Sequence, residues 1–158
     1  MKLFLLRHAE AQSDAQDDIE RVLTQKGCED AETLGRLMKE KSYTPRYIIC
    51  SSAQRTQQTL KYLSLGHELC DTEKPEISQS LYNAAPGDIL SIIQAQNTNS
   101  PLLIIAHNPG IPQLVQILTE EPMIQYAPCT LSVIDYPELD QWENIAPGNG
   151  SLIESLHP

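Results

Sequence analysis

The sequence lacks a long apolar run. Its apolar residues come in short, separate runs, the clearest being Leu3 to Leu6, Tyr47 to Cys50 and Leu102 to Ala106. None approaches the ~20 residues that a membrane-spanning helix needs. The apolar stretch between Lys2 and Arg7 is also too short for a secretory signal. We therefore expect no membrane association and a cytoplasmic protein.

Cysteine is present but unpatterned. Cys28, Cys50, Cys70 and Cys129 are widely scattered and include no C-x-x-C pair. This spacing favours neither a zinc site nor a disulfide framework. We therefore expect reduced thiols. No cofactor is expected either.

Basic residues are few. The chain carries 11 Lys and Arg against 21 Asp and Glu, a net charge of −10. Most of the surface would repel nucleic acid, so no nucleic-acid partner is expected and any phosphate must be held by a local basic site. The acidity is interpreted as a solubility feature in preference to a docking surface for a basic protein.

The length and composition favour a single domain covering residues 1–158, because 158 residues with 41% apolar content can bury a core unaided. Strands alternate with helices, which predicts an α/β fold: a three-layer α/β/α sandwich with a mostly parallel central sheet. The predicted strands are Leu3 to Leu6, Tyr47 to Cys50 and Leu102 to Ala106, with a short extended piece at Ile77 to Leu81 and a closing hairpin or edge pair at Thr130 to Tyr136 and Gln141 to Ile145. The predicted helices run from Thr24 to Lys41, from a cap at Ser51 or Ser52 to Leu63, from Pro86, and from Gly110 to Leu118, while Gly66 to Pro75 is a predicted loop.

Three polar residues follow three of these strands at their carboxyl ends: His8, Arg55 and His107. Ligands of such sheets bind outside the carboxyl ends of the strands, so these side chains can converge. A phosphoryl group in transfer spreads negative charge over three oxygens and needs cationic donors around it and a nucleophile in line. Arg7 and Arg55 supply the cations, His8 the nucleophile, and His107 a hydrogen bond to a phosphoryl oxygen.

Each residue also has an ordinary structural interpretation. A lone arginine is more often a surface residue with a buried stem, and a histidine after a strand is more often structural. The joint occurrence of Arg7-His8, of Ser51-Ser52-x-x-Arg55 and of His107-Asn108-Pro109-Gly110 makes coincidence a weak explanation. The combination predicts a phosphate site.

The motifs resemble a known family. Arg7-His8-Ala9-Glu10 is similar to the Arg-His-Gly signature of the histidine phosphatase superfamily, the phosphoglycerate mutase-like proteins, with Ala9 where glycine is usual. The segments from Arg21 to Gly27, from Ser51 to Thr59 and from Ala106 to Gly110 resemble its small SixA-type phosphohistidine phosphatases, in order and spacing. The resemblance implies a phosphoglycerate mutase-like fold, a phosphohistidine intermediate on His8, no metal, and phosphate contacts from Arg7, Arg55 and His107. By the same resemblance, Arg21 and Asn108 are further candidates for substrate binding.

A proton donor to the leaving group is missing from the expected place. Larger phosphomonoesterases of the family carry a carboxylic acid there, and the stretch from Ser78 to Asn83 has none. Imidazole departs from phosphorus more readily than an alkoxide. The missing acid favours a phosphorylated histidine of a signalling or phosphotransfer protein, or another labile phosphoramidate, as substrate. Separately, we expect the protein to be a monomer. Asp88 is an alternative donor, but we interpret it as a charge at a helix N-terminus.

Other interpretations stay open. A general phosphomonoesterase acting on small esters and a non-catalytic phosphate-binding module both use the same residues. A cysteine phosphatase is disfavoured, because four residues, not five, separate Cys50 from Arg55. We expect the acidic residues after His8 to keep their loop solvated in preference to screening out polyanions: Asp14, Asp17, Asp18 and Glu20.

Overall fold

The computed structural model describes residues 1–67, 69, 74–122 and 125–158. The six strands of these residues are β1 (Lys2–Arg7), β2 (Tyr47–Ser51), β3 (Glu76–Ser78), β4 (Leu102–Ala106), β5 (Leu131–Asp135) and β6 (Ser151–Leu156). The four α-helices are α1 (Gln25–Glu40), α2 (Gln54–Gly66), α3 (Pro86–Gln94) and α4 (Gly110–Thr119). Short 3-10 turns lie at Asp18–Glu20, Gln79–Leu81 and Trp142–Asn144.

The strands form one sheet in the order β3-β2-β4-β1-β5-β6. The first four are parallel neighbours, whereas β5 and β6 each pair in the antiparallel direction. Because β4 lies between β1 and β2, the loops that follow these three strands emerge side by side at one edge of the sheet. This edge carries the predicted site residues.

Apolar residues of β1 point alternately to the two faces of the sheet. Phe4 and Leu6 pack in the layer that contains residues of α1 and α2, while Leu3 and Leu5 pack in the layer that contains residues of α3 and α4. A continuous apolar strand is what burial on both faces requires. The predicted three-layer α/β fold with a mostly parallel sheet is confirmed.

Helices α1 and α2 cross at close range. A Cβ atom added to Gly35 would lie 2.2 Å from the carbonyl oxygen of Leu63, and one added to Gly66 would lie 2.1 Å from that of Glu32. Only glycine leaves room for this backbone approach. The contact fixes α2, whose first turn carries Arg55, against α1.

Two predicted features are wrong. The N-cap of α2 is Ala53, without a side-chain cap bond, and neither Ser51 nor Ser52 caps the helix. The edge partner of β5 is β6 and not the predicted segment from Gln141 to Ile145. Trp142 lies in a 3-10 turn and Ile145 directly follows it, and both side chains are buried without the segment forming a strand. Positions 68 and 70–73 of the predicted loop from Gly66 to Pro75, including Cys70, lie outside the described residues.

The remaining element predictions agree with the structure within a few residues. Thr24 caps α1 by accepting a hydrogen bond from the backbone N–H of Gly27 at 3.0 Å. Pro86 opens α3, and the side chain of Asp88 accepts a hydrogen bond from the backbone N–H of Ala85 at 3.3 Å. The interpretation of Asp88 as a helix N-terminal residue is confirmed. Across the described ranges, the structure contains no helix with the length and apolarity to cross a membrane.

Candidate active site

Three polar side chains meet where β1, β2 and β4 end. Nε of Arg55, in the first turn of α2, lies 3.3 Å from Nε2 of His8. The ring centroids of His8 and His107 are 5.3 Å apart, and the two rings meet edge to face. The structure therefore brings His8, Arg55 and His107 together, as their places at the carboxyl ends of neighbouring strands led us to expect.

The imidazole of His8 has a defined proton position. Its Nδ1 lies 2.7 Å from the carbonyl oxygen of Ala9, and a carbonyl only accepts, so Nδ1 carries the proton. Burial, followed by the charges of Arg55 and Arg7, lowers the pKa of His8 from 6.5 to about 4 against the opposing effect of the Ala9 carbonyl. The ring is neutral near pH 7, and Nε2 keeps a lone pair directed at the Arg55 guanidinium.

Arg55 is held on its outer side. Its Nη1 donates to the carbonyl oxygen of Asp18 at 2.6 Å, and its Nη2 donates to the Asp18 carboxylate at 3.0 Å. The Arg55 residue is only 3% exposed. A buried guanidinium with both terminal nitrogens held in this way has a fixed direction.

His107 directly follows β4 and is 4% exposed. Its Nε2 lies 2.8 Å from Oγ of Ser51, whereas its Nδ1 is buried without a hydrogen-bond partner among the described residues. Burial lowers the pKa of His107 from 6.5 to about 3, with help from the charges of His8 and Arg55. His107 is therefore also neutral near pH 7.

Arg7 is the last residue of β1, next to Ala106 of β4. Its Nη1 donates to the carbonyl oxygen of Tyr126 at 2.5 Å, while its Nε is buried with no partner in the described part of the chain. Arg7 and Asn108 line an open cleft of about 520 Å³. Arg7 thus lines this cleft, and its charge also lowers the pKa of His8.

The remaining predicted residues lie further out. Arg21 donates from Nε to the carbonyl oxygen of Gln12 at 2.6 Å and from Nη1 to Asp18 at 3.1 Å. Its charge still lowers the pKa of His8. Asn108 is exposed at the rim of the cleft beside Arg7.

Asp18 belongs to this cluster, although its sequence context indicated a solvated loop. The carboxylate joins Arg55, Arg21 and the hydroxyl of Tyr82, which donates to it at 2.6 Å. These bonds, that from Tyr82 first, hold the pKa of Asp18 well below its usual range. For Asp18, the expectation of a merely solvating role is wrong, because its carboxylate holds site residues in place.

Tyr82 is a second residue that the sequence did not single out. Its ring meets the ring of His107 edge to face, with centroids 5.6 Å apart, and lies 5.9 Å from the guanidinium carbon of Arg55. It falls in the stretch noted for lacking a carboxylate. No local signal marked it, because the contact depends on where the turn at Gln79–Leu81 places the chain.

Thr59 supports the backbone of the loop that follows β1. Its hydroxyl accepts from the N–H of Ala9 at 3.0 Å and donates to the carbonyl of Arg55 at 2.7 Å. Ala9 is completely buried. One side chain of α2 therefore ties the residue after His8 to the residue that faces His8.

The fold and this cluster define a family. The model of the histidine phosphatase superfamily (branch 1) matches residues 3–89, more than half of the chain. The chain belongs to the histidine phosphatase superfamily, which makes it a phosphatase by class.

Within the superfamily, the chain is similar to SixA-type proteins. It is 27% identical to the phosphohistidine phosphatase SixA of Escherichia coli (strain K12) over 164 aligned positions, which cover 100% of this chain and 94% of that protein. A solved structure of the protein histidine phosphatase SixA complexed with tungstate superimposes with a TM-score of 0.86 at 25% identity, covering 100% of this chain and 97% of the other. An uncharacterized protein of Mycobacterium tuberculosis is 28% identical over 115 residues, 72% of this chain and 69% of its own length.

Proposed function

We propose that the protein removes phosphate from a phosphorylated histidine of a signalling or phosphotransfer protein through a phosphorylated His8. In the first step Nε2 of His8 forms a bond to phosphorus and the bond from phosphorus to the substrate imidazole breaks. In the second step water attacks phosphorus, the bond to His8 breaks, and inorganic phosphate leaves. The similarity to SixA supports the choice of substrate.

The proton position of His8 is the observation that carries the proposal. With Nδ1–H bonded to Ala9 at 2.7 Å, the lone pair is on Nε2, the atom 3.3 Å from Arg55 Nε. A nucleophile needs an unprotonated nitrogen, and a cation next to it attracts the phosphoryl oxygens that must approach it. A neutral His8 whose unprotonated Nε2 lies beside Arg55 suits attack on an anion.

Arg7, Arg55 and His107 are proposed to hold the phosphoryl group. Arginine forks match phosphate oxygens, and Arg7 Nε and His107 Nδ1 are two of the buried atoms that have no hydrogen-bond partner among the described residues. Arg21 and Asn108 are proposed as outer contacts, since both lie at the border of the cluster.

The leaving group favours a phosphorylated histidine. Asp18 is the carboxylate bonded to Arg55, and its strongly lowered pKa keeps it ionised, so it cannot supply a proton near neutrality. Asp88 is engaged at the start of α3. An imidazole whose second nitrogen is protonated leaves as a neutral molecule and does not need such an acid, whereas an alkoxide does.

A comparison of turnover on different substrates tests the proposal. Turnover of a phosphorylated phosphotransfer domain is compared with turnover of an aryl phosphate and a sugar phosphate, each with and without a chelator. We expect the phosphohistidine protein to be the best substrate and the chelator to have no effect. A preference for alkyl esters would instead support a general phosphomonoesterase, and binding without turnover would support a non-catalytic module.

Two variants accompany this assay. His8→Ala should abolish turnover with the fold intact, while His157→Ala, which removes an exposed histidine near the C-terminal end, should retain wild-type rates. If His8→Ala keeps more than a few per cent of the activity, the nucleophile is a different residue.

A further inference from the structure

We propose that Ser51 is a positioning residue that fixes the proton of His107 on Nδ1, so that His107 presents an N–H to the phosphoryl group. The inference deepens the proposed function and rests on it for the identity of the ligand. The proton position of His107 is a property of the free protein and does not depend on the proposed function.

The surroundings of Ser51 leave its hydroxyl proton available to His107. Ser51 ends β2 and is completely buried, and its Oγ lies 2.8 Å from Nε2 of His107. The backbone N–H of Ala53 donates to the same Oγ at the long distance of 3.5 Å. Among the described residues Oγ makes hydrogen bonds only to these two nitrogens, and the Ala53 N–H is a donor. The single hydroxyl hydrogen therefore has the imidazole as its acceptor, and Nε2 accepts it.

The backbone around Ser51 keeps this arrangement rigid. The hydroxyl of Thr56 lies 2.8 Å from the carbonyl oxygen of Ser51 and 2.7 Å from that of Ala53, so its one hydrogen is shared between the two carbonyls. The backbone of Ser51 is therefore held to the first turn of α2, the turn that also carries Arg55.

The second ring nitrogen of His107 needs a partner. Nδ1 is buried and has none within the described residues, although the ring lies against His8, the proposed nucleophile. Burial of an unpaired polar atom costs free energy and occurs at sites that await a ligand. A phosphoryl oxygen beside His8 would satisfy Nδ1 only if that nitrogen carries the proton.

The choice of tautomer matters because His107 is neutral. Burial lowers its pKa to about 3, so near pH 7 the ring has a single N–H. In the opposite tautomer Nδ1 would direct a lone pair at an anionic oxygen and repel it. The bond that one ring nitrogen makes determines which nitrogen is protonated, and Ser51 supplies that bond.

The neighbouring Ser52 provides a matched control. Its hydroxyl donates to the side chain of Gln79 at 2.7 Å and makes no contact with either histidine. Ser52→Ala removes the same atoms as Ser51→Ala at the adjacent position, so the comparison isolates the bond to His107.

Nitrogen NMR on the free protein reads the tautomer directly. The protein is labelled with ¹⁵N at histidine, His107 is assigned by its absence from a His107→Asn variant, and spectra are recorded near pH 7 for wild type, Ser51→Ala and Ser52→Ala. We expect Nδ1–H in wild type and in Ser52→Ala, and a mixture of tautomers in Ser51→Ala. A wild-type His107 protonated at Nε2 would overturn the inference, as would an unchanged tautomer in Ser51→Ala.

Kinetics and phosphate binding complete the test. Ser51→Ala should lose about tenfold in kcat/KM, the effect of one hydrogen bond, and should bind inorganic phosphate more weakly, while Ser52→Ala stays within about twofold. If Ser51→Ala does not fold, Ser51→Cys keeps the volume with a weaker donor and should show an intermediate loss. Failure of wild type to turn over phosphohistidine would count against the proposed function, whereas full activity in a folded Ser51→Ala would refute the role of Ser51.

Discussion

Acidification from about pH 7 to about pH 5 should destabilise the protein, because the partly buried His8 and the buried His107 are neutral rings with lowered pKa values. Burial together with nearby cations lowers the pKa of His8 from 6.5 to about 4, and burial lowers that of His107 from 6.5 to about 3. The unfolded chain regains ordinary pKa values, so it takes up protons that the folded state does not bind. The two rings leave the free energy of unfolding unchanged at pH values above the ordinary pKa of histidine. They lower it as the pH falls from there toward their folded-state pKa values.

The size of the loss follows from the two values. A shift of one pKa unit corresponds to about 1.36 kcal/mol, and both folded-state values lie below pH 5. Each ring should therefore remove about 2 kcal/mol from the free energy of unfolding between about pH 7 and about pH 5. Most carboxyl groups stay ionised in this interval and contribute little.

Urea unfolding followed by tryptophan fluorescence measures this loss. Trp142 is the single tryptophan and is completely buried, so its emission reports on unfolding. His8→Asn is compared with wild type at several pH values, each protein relative to its own stability at about pH 8. The variant should lose about 2 kcal/mol less than wild type over the interval. An identical pH dependence in both proteins would refute a neutral His8 with a lowered pKa.

Three further predictions concern site and scaffold. Arg55→Ala should lower kcat/KM by about a hundredfold, as the loss of one preorganised donor does, whereas Arg36→Ala, on the exposed face of α1, should have no effect; a loss of only twofold would place Arg55 outside the site. Asp18→Asn should lower kcat/KM by about tenfold, because the charge that orients Arg55 is gone, and Asp17→Asn serves as its exposed control; equal rates for both variants would exclude a positioning role for Asp18. Gly35→Ala should destabilise the protein by about 1–3 kcal/mol in thermal unfolding, since its Cβ would meet Leu63, while Gly87→Ala has open space and should cost nothing; equal melting temperatures would contradict the close crossing of α1 and α2.

The sequence predicted the central sheet and the meeting of His8, Arg55 and His107. Both follow from local patterns: continuous apolar runs give strands buried on two faces, and residues at the carboxyl ends of neighbouring parallel strands come together. The adjacency of β1, β2 and β4 turns three distant positions into one cluster.

The sequence did not reveal the residues that connect the cluster. Asp18 lies among acidic residues whose pattern predicts a solvated loop. Its role depends on a hydrogen bond from Arg55, which is 37 positions away. Tyr82 is brought in by a turn without periodicity. The edge strand β6 was missed because the apolar Trp142 and Ile145 were more conspicuous, and apolar content indicates burial without specifying an extended backbone.

Trapping the phosphorylated enzyme tests the central claim most directly. The protein is mixed rapidly with a radiolabelled phosphohistidine protein and quenched in alkali, in which phosphohistidine is stable, and the labelled peptide is sequenced by mass spectrometry. We predict a label on His8 that forms before inorganic phosphate is released and is absent from His8→Asn. Label on a different residue, or full turnover by His8→Asn, would contradict the mechanism.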